Sequence, residues 1–303
     1  MNWVSFRFID NVCHQLQFWS LEQARLLSDS WSKFGSEHCR KRREFAFNCR
    51  VDDKDGEYFL EKLFFFEEVK ICDLNLEFHR ITSINCDSVD PREIPVSLDE
   101  LQLDIFPTVT SLVTNCRWPY LNPEHSAQSL LFFKAFQNCP GFNDIHVREE
   151  GEESRDFASR QVDLGNVHTL DLQTYLTNSW AAPENLAQTL RTFVNSARFR
   201  GLCVNHRVPN DFELVELFLE RALAGELKEG ARIRIESITF AKSQLGALHP
   251  EHREDSEELA WRIPNSNRRI VDAWRASEHS FYIALLNVDT EKKRAKNASY
   301  NNL

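Results

Sequence analysis

Two histidine pairings in this chain have residue types that could do chemistry. His249 and His252 sit three apart in a charged segment, whereas zinc proteases carry H-E-x-x-H on a helix, so a metal site is not expected there. Cys203 and His206 lie at an odd separation on one predicted strand. Their side chains would point to opposite faces, so they cannot form a simple nucleophile–base pair.

The remaining acidic and glycine patterns also fail to make a catalytic set. His168 and Asp171 are expected to face solvent beside a strand, and Asp52–Asp53 is typical of a turn. The sequence contains no G-x-G-x-x-G, no P-loop and no G-x-S-x-G, and its nine glycines leave little scope for a phosphate cradle. We therefore predict no catalytic residue, no metal ligand, no cofactor and no enzyme activity.

Composition and charge restrict the class of partner. The 303 residues are 42% hydrophobic and 27% charged, which is typical of a folded chain of about two domains. The net charge of −10 argues against nucleic acid, and no apolar run approaches the ~18 residues of a membrane span. Residues 1–50 nevertheless hold eight Lys or Arg against five Asp or Glu. A basic start on an acidic body favours an acidic protein partner, and neither nucleic acid nor a membrane is expected.

The cysteines indicate a reducing compartment. None of the eight forms a C-x-x-C pair, and their spacings match no zinc ribbon or finger. The N-terminus lacks a basic segment followed by an uninterrupted apolar run, so no secretory signal is expected. We predict reduced, mostly buried thiols in a cytoplasmic or nuclear protein.

Apolar spacing predicts a compact helical unit over residues 1–50. A first helix is indicated by residues four apart on one face, namely Phe8, Val12 and Leu16. Ser20 followed by Gln23 resembles a capping box and predicts the start of a second helix. That helix would present Ala24, Leu27, Trp31 and Phe34 and end at Gly35. Helices this short are marginal alone, so their apolar faces must close on the body, on a partner, or on both.

The stretch from Val4 to Phe34 resembles an F-box. The matching residues are Phe8-Ile9, Val12, Leu16, Ser20-Leu21 and the run Leu26-Leu27-Ser28-Asp29-Ser30-Trp31, while Ser5 stands where the family usually has Pro. The start of the chain also resembles the expanded F-box families of roundworms. The alternative is a plain helical hairpin packed on the body.

The resemblance implies an adaptor. An F-box docks on a Skp-type subunit of a cullin-RING ubiquitin ligase, and the rest of the chain captures a protein substrate. Apolar helices suit a helix-in-groove contact, and the basic segment suits an acidic partner. The docking or docking-supporting residues would be Phe8, Val12, Leu16, Leu27 and Trp31.

An apolar motif at i, i+3 and i+5 recurs through the body and predicts strands. Its copies are Phe66/Val69/Ile71, Phe142/Ile145/Val147, Val167/Leu170/Leu172, Phe199/Leu202/Val204 and Ile235/Ile238/Phe240, with a partial copy at Val109/Leu112. Predicted helices at Ser126–Phe136, Asn185–Ala197 and Phe212–Leu223 separate several of them. The pattern resembles a degenerate leucine-rich repeat. The alternative is an α/β sheet without a true repeat.

We therefore predict an α/β fold in four segments. These are an F-box-like helical unit at 1–50, a strand–helix, repeat-like substrate-binding body at 58–248, a β-hairpin extension at 259–288 and a disordered tail at 289–303. The segment 51–57 would join the first two, Glu149–Asp156 would be a loop, and the hairpin would pair Arg269–Trp274 with Phe281–Asn287.

The aromatic residues supply the candidate substrate contacts. Most of the 23 Phe and seven Trp are expected in the core, and exposed ones would mark a binding surface. Trp118, Tyr120 and Trp180 follow predicted strands, where the loops of strand–helix repeats gather at one rim. The predicted function is substrate recognition in a Skp–cullin–F-box ligase. The alternatives are a non-catalytic repeat-type protein-binding scaffold, whose N-terminal hairpin is a cap, and an enzyme with an unrecognised site.

Overall fold

The computed structural model describes residues 4–16, 18–27, 29–51, 55–62, 69–86, 94–113, 119–121, 126–148, 152–173, 184–205, 208–236, 238–241, 244–245, 248, 251–252, 259–263, 269–277 and 280–287. The chain forms two compact units, Met1–Ile145 and His146–Leu303. Both units combine helices with strands. The predicted α/β class, with helices first and a β-hairpin last, is confirmed.

Three helices open the first unit: α1 Phe6–Gln15, α2 Phe18–Ala24 and α3 Asp29–Lys41. Ser5 caps α1, because its Oγ accepts a hydrogen bond from the Phe8 amide at 3.2 Å. The helices share a small core of Ile9, Cys13 and Leu21, against which Leu16, Trp31, Phe34 and Cys39 pack. The inward side of α1 therefore carries Ile9 and Cys13, with Leu16 just after the helix, whereas Phe8, predicted to share a face with Leu16, is exposed.

Gly35 has a different role from the predicted helix stop. The expected single helix from Ser20 to Phe34 is two helices, with Ser20 inside α2 and Gly35 in the middle of α3. A Cβ on Gly35 would lie 2.8 Å from the backbone nitrogen of Arg25. Gly35 is thus the point where the backbone of α3 meets the end of α2.

The first unit continues with a small mixed sheet. Its strands are β1 Arg43–Val51, β2 Asp55–Lys62, β3 His79–Cys86, β4 Ile94–Ser97 and β5 Pro119–Leu121, in the order β5-β3-β1-β2-β4. β1 pairs with β2 as an antiparallel hairpin and with β3 in parallel. A 3-10 turn at Ile71–Asp73 precedes β3. The helices of this part are α4 Leu98–Glu100, a π-type turn at Leu101–Ile105, α5 Phe106–Leu112 and α6 Ser126–Phe136.

Alternating strands and helices build the second unit. The elements are β6 Asp144–Arg148, α7 Glu152–Asp163, β7 Thr169–Gln173, α8 Glu184–Asn195, β8 Gly201–Val204, α9 Asp211–Leu223 and β9 Arg232–Glu236. β7, β8 and β9 are parallel neighbours, and β6 lies next to β7. Antiparallel strands complete the sheet: β10 Glu251–His252, β11 Leu259–Arg262, β12 Arg269–Ser277 and β13 Ser280–Asn287, with β13 paired to β9.

Burial in the second unit follows the strand period of two. Leu170 and Leu172 on β7 are buried, whereas Thr169, Asp171 and Gln173 are half-buried. β9 repeats the pattern, with Ile233 and Ile235 buried and Arg232 and Arg234 exposed. One face of the sheet is thus apolar and the other is polar, as expected where helices cover a single face.

Four predicted segments need correction. The segment around Phe66, Val69 and Ile71 is not a strand in its described part, because Ile71 begins the 3-10 turn. Val109 and Leu112 lie in α5, and the predicted loop at Glu149–Asp156 leads into α7. The 51–57 segment, expected as a join, contributes to β1 and β2. In the described residues no helix is long and apolar enough to cross a membrane.

Candidate functional site

The segment of residues 4–27, which includes α1 and α2, carries most of the exposed large hydrophobic side chains among the described residues. These are Val4, Phe6, Phe8, Trp19, Leu26 and Leu27, which we call the exposed hydrophobic set, and beyond them only Leu76 and Leu103 are comparably bare. Phe6 is 65% exposed and Trp19 is 75% exposed. Single exposed apolar residues are ordinary, but a concentration within one short segment indicates an interaction surface.

Contacts across α3 connect two parts of the exposed hydrophobic set. The ring of Phe6 lies 6.0 Å from the ring of Phe34. The next residue, Gly35, packs closely against the backbone of Arg25, and Leu26 and Leu27 follow Arg25 in the sequence. The start of α1 and the turn after α2 are therefore neighbours through α3.

The predicted docking residues divide into two groups. Phe8 and Leu27 are more than half exposed. Leu16 and Trp31 pack against the small helical core, and Val12 is half-buried. The predicted docking residues omit Phe6, Trp19 and Leu26, because they were chosen from two apolar stripes at helical spacing; Leu26 was named only within the F-box-like run. Hydrophobic residues lying off those stripes were the available signal.

A polar cluster lies on the inner side of the same helices. Asp10 and His14 come from α1, His38 from α3 and Arg80 from β3. His38 is fully buried, and its Nε2–H donates to Asp10 Oδ1 at 2.8 Å. His14 Nε2 is 3.7 Å from Asp10 Oδ2, and the two imidazole rings meet edge to face at 4.4 Å. Arg80 Nη2 donates to His14 Nδ1 at 2.6 Å.

Arg42, directly after α3, ties the end of α1 to this cluster. Its guanidinium donates to the carbonyls of Cys13 at 2.8 Å and His14 at 3.1 Å, and also to that of Leu16. The last carbonyls of a helix lack partners within the helix, and a cation there also complements the helix dipole. Burial, together with the charge of Arg80, lowers the pKa of Arg42 to about 10.

The two histidines of the cluster are held neutral. Burial lowers the pKa of His14, and His38, Arg80 and Arg42 lower it further. Burial also lowers the pKa of His38, and the hydrogen bond to Asp10 only partly offsets this. Both imidazoles lie where a positive charge is unfavourable.

The cluster contains a set of side chains that could in principle hold a metal ion. Asp10, His14 and His38 could each offer one ligand atom, and these atoms lie within 4.8 Å of one another. Two histidines and a carboxylate form a donor set that catalytic zinc sites use. Arg80, however, can only donate, so His14 Nδ1 must be the bare nitrogen and Nε2 must carry the proton. A protonated Nε2 cannot bind a metal, and two guanidiniums beside it repel a cation. The cluster is a hydrogen-bond network rather than a metal centre.

A second polar group lies on the open face of β6, β7 and β8. Asp171 Oδ2 accepts hydrogen bonds from His146 Nδ1 at 3.0 Å and Gln173 Nε2 at 3.2 Å. Burial raises the pKa of Asp171, but the hydrogen bonds from His146, Cys203 and Gln173 outweigh it and hold that pKa below its usual value. Asp171 was predicted to face solvent. Its side chain is only 13% exposed, because neighbouring strands supply its partners.

The order of these groups does not activate a nucleophile. Asp171 lies between His146 and Cys203, so the imidazole is not the group next to the sulfur. Activation of the thiol would require that base beside the sulfur to take its proton. Burial and the adjacent Asp171 raise the pKa of Cys203 to about 12. The thiol therefore stays protonated at neutral pH and is a poor nucleophile.

A cleft of about 460 Å³ beside β2 and β4 is the remaining candidate. Its walls include Arg50, Glu57 and Glu100, and Arg50 Nη2 donates to Glu57 Oε2 at 2.6 Å. Ligand pockets are usually lined by hydrophobic and aromatic groups with a few polar ones. None of the described residues that line this cleft is aromatic, so it supports no ligand assignment.

The predicted substrate contacts fall largely outside the described residues. Trp118, Trp180 and His206 lie outside the described residues, and for Tyr120 only the backbone is described, in β5. His252 lies in β10, and His249 is outside the described part.

Comparisons with known proteins find likenesses among solved structures. No family model matches the chain, and no curated protein matches it. Among solved structures, the chain is similar to MycE methyltransferase from the mycinamycin biosynthetic pathway in complex with Mg and SAH, at 10% identity and a TM-score of 0.27. A second crystal form gives 11% and 0.26, and the complex that also holds mycinamycin VI gives 10% and 0.25. Each match covers 94% of this chain and 93% of the other.

These matches contradict two predictions. The chain was expected to be a ligase adaptor, or else a non-catalytic scaffold, and not an enzyme, whereas the structures found are those of an enzyme. Both expectations are withdrawn. At these TM-scores and identities the likeness transfers no residue role, substrate or cofactor to this chain.

Proposed function

We propose that the N-terminal helical unit binds another protein through its exposed hydrophobic set, and that an amphipathic helix of an acidic protein occupies it. The observation that carries the proposal is the concentration of exposed apolar side chains in residues 4–27. Aromatic residues are enriched where proteins meet, and this set includes Phe6, Phe8 and Trp19. The proposal concerns binding alone.

The small helical core explains why the set remains available. Ile9, Cys13 and Leu21 are already buried among the three helices, with Leu16 and Trp31 packed around them. The helices are thus held together from inside while a second apolar side stays bare. A surface of this kind suits a helix laid into a groove.

Charge favours an acidic occupant. Arg7, Arg25 and Lys33 are exposed on or beside the three helices. Residues 1–50 hold eight Lys or Arg against five Asp or Glu, although the whole chain carries −10. Such an arrangement steers an acidic surface toward the helices and raises the association rate. The F-box resemblance makes a Skp-type subunit the partner we propose, in the cytoplasm or nucleus.

Replacing two exposed side chains tests the surface. We expect Phe8→Ser with Leu27→Ser to weaken binding of a Skp-type subunit about tenfold or more, since truncating interface anchors costs at least about 1 kcal/mol each. The dissociation constant would be measured by biolayer interferometry. Both side chains are exposed, so the folded state should survive the change.

Leu76→Ser with Leu103→Ser is the matched control. These leucines are 60% and 73% exposed and lie outside the three N-terminal helices α1, α2 and α3, so this variant should bind like the wild type. Equal loss of binding in both variants would refute the assignment to the helical surface. A wild-type chain that fails to bind would remove the Skp-type subunit as the partner.

A further inference from the structure

The polar cluster under α1 concentrates positive charge around one carboxylate. α1 contributes Asp10 and His14, and β3 contributes Arg80. α3 contributes His38, with Arg42 directly after it. These five groups include two guanidiniums, two imidazoles and a single acid. Their contacts, 2.8 Å between His38 and Asp10 and 2.6 Å between Arg80 and His14, join three elements that are distant in sequence.

Other charged and titratable groups surround the cluster, and two of them, Glu37 and Glu44, are acids that offset part of its positive charge. On α3, Lys41 donates to Glu37 at 2.7 Å and lies 4.5 Å from the centre of the Phe78 ring. Phe78 itself packs against both histidine rings. On β1, the negative charge of Glu44 raises the pKa of Arg42. The thiols of Cys13 and Cys39 have raised pKa values through burial, so they stay uncharged at neutral pH.

We propose that this cluster is a proton-sensitive latch, which holds α1 against α3 and β3 while His14 and His38 are neutral and releases α1 when they take up protons. With neutral rings, Asp10 accepts from His38, and His14 accepts from Arg80. Protonation of His14 removes the lone pair that Arg80 needs and places two cations 2.6 Å apart. Protonation of His38 adds a charge that is fully buried.

The direction of the pH effect follows from linkage. The pKa values of His14 and His38 are lowered in the folded chain, so the released state binds protons more readily. The attachment of α1 is therefore complete above the ordinary histidine pKa of about 6.5 and weakens as the pH falls below it. Histidine is the side chain whose charge ordinarily changes in this range.

Hydrogen exchange of the full chain tests the latch directly. The protection of the α1 amides, corrected for intrinsic exchange, would be compared at pH 7.5 and pH 5.0, with α8 and α9 as the internal reference. We expect the protection of α1 to fall roughly tenfold relative to the reference, because two histidines act on the same helix. Unchanged relative protection in the wild type would overturn the latch.

Variants that cannot protonate provide the control. His14→Gln with His38→Gln keeps amide groups at both positions, and its α1 protection should be nearly independent of pH. His168→Gln removes a half-buried histidine of the second unit and should behave like the wild type. A double variant that keeps the wild-type pH response would overturn the proposal.

Histidine titration by NMR covers the case in which the double variant does not fold. In the wild type, both His14 and His38 should titrate below about 6.5, and the α1 amide resonances should shift with them. A midpoint at or above that value for both rings would overturn the latch. None of these measurements uses a partner. If the proposed function holds, acid also releases the part of the exposed hydrophobic set that lies on α1. That consequence rests on the proposed function, whereas the latch does not, so the latch and the proposed function can fail separately.

Discussion

One side chain, Arg42, bears much of the attachment of α1. Its guanidinium serves three carbonyls at the end of that helix, and the side chain is almost fully buried. A buried charge is tolerated only where hydrogen bonds replace the lost water. Arg42 therefore acts as a side-chain cap for a helix that lies far from it in sequence.

Replacing Arg42 with Met should lower the free energy of unfolding by about 2–4 kcal/mol, because buried carbonyls would lose charged donors. Urea denaturation followed by tryptophan fluorescence would measure it. Arg43→Met is the matched control, since Arg43 is exposed and, among the described residues, donates to the neighbouring carbonyls of Arg40 and Arg42. The control should change stability by less than about 0.5 kcal/mol. Equal losses in the two variants would contradict the capping role.

At the scale of elements, the packing of α2 on α3 depends on Gly35. In a free helix Ala is more stable than Gly by about 1 kcal/mol. Here a Cβ at this position would lie 2.8 Å from Arg25 N, closer than packed atoms allow. The two effects have opposite signs, so the sign of the stability change shows which one prevails.

We expect Gly35→Ala to destabilise the chain by about 1–3 kcal/mol, the cost of overpacking against a backbone that cannot yield easily. Thermal unfolding by circular dichroism would measure it. Ser36→Ala, one residue further on the exposed side of α3, is the control and should be neutral or slightly stabilising. A stabilised Gly35→Ala variant would show that α2 and α3 do not approach this closely.

Local pattern predicted those elements whose burial is set by their own sequence. The helix at Ser126–Phe136 and the strand through Leu170 and Leu172 were recognisable, because apolar residues recur at the period of the element. Val109 and Leu112 share the strand-like spacing i, i+3 but lie in α5. A spacing of three residues fits one face of a helix as well as it fits the i, i+3, i+5 strand motif. Packing against the rest of the chain therefore decides between helix and strand.

The candidate site was predictable only in outline. The sequence indicated that the N-terminal helices leave apolar residues bare, and it named Phe8 and Leu27 among them. It gave no sign of the polar cluster, because Asp10, His38 and Arg80 come together through the fold. Nor could it show that Asp171 is enclosed, since His146 and Cys203 stand on neighbouring strands that share no local motif with it.

At the scale of the whole molecule, the pH dependence of the free energy of unfolding is the sum of contributions from every group that binds a proton. The chain holds 46 acidic and 36 basic residues besides ten histidines, so a plot of its stability against pH combines the titrations of many groups. The slope of stability with pH equals the difference in bound protons between the unfolded and folded states. A difference between wild type and a single variant isolates one group from that sum.

Asp171 is the clearest acid for such a comparison. Although burial opposes it, the bonds from His146, Cys203 and Gln173 keep its pKa below the ordinary value of about 3.9. Its contribution is therefore fully present above that ordinary value and is lost as the pH falls through the lower, folded value. Asp171→Asn should destabilise the chain at pH 7 by about 1–3 kcal/mol, since an amide is a weaker acceptor for three donors.

The gap in urea midpoint between wild type and Asp171→Asn should begin to narrow as the pH falls below about 3.9, because Asp171 of the unfolded chain takes up a proton before Asp171 of the folded chain does. Asp156→Asn, an exposed acid on α7, is the control and should track the wild type. A gap that stays constant would mean that the carboxylate's charge is irrelevant and only its shape matters. A gap that widens on acidification would require a raised pKa for Asp171, the opposite of what its hydrogen bonds dictate.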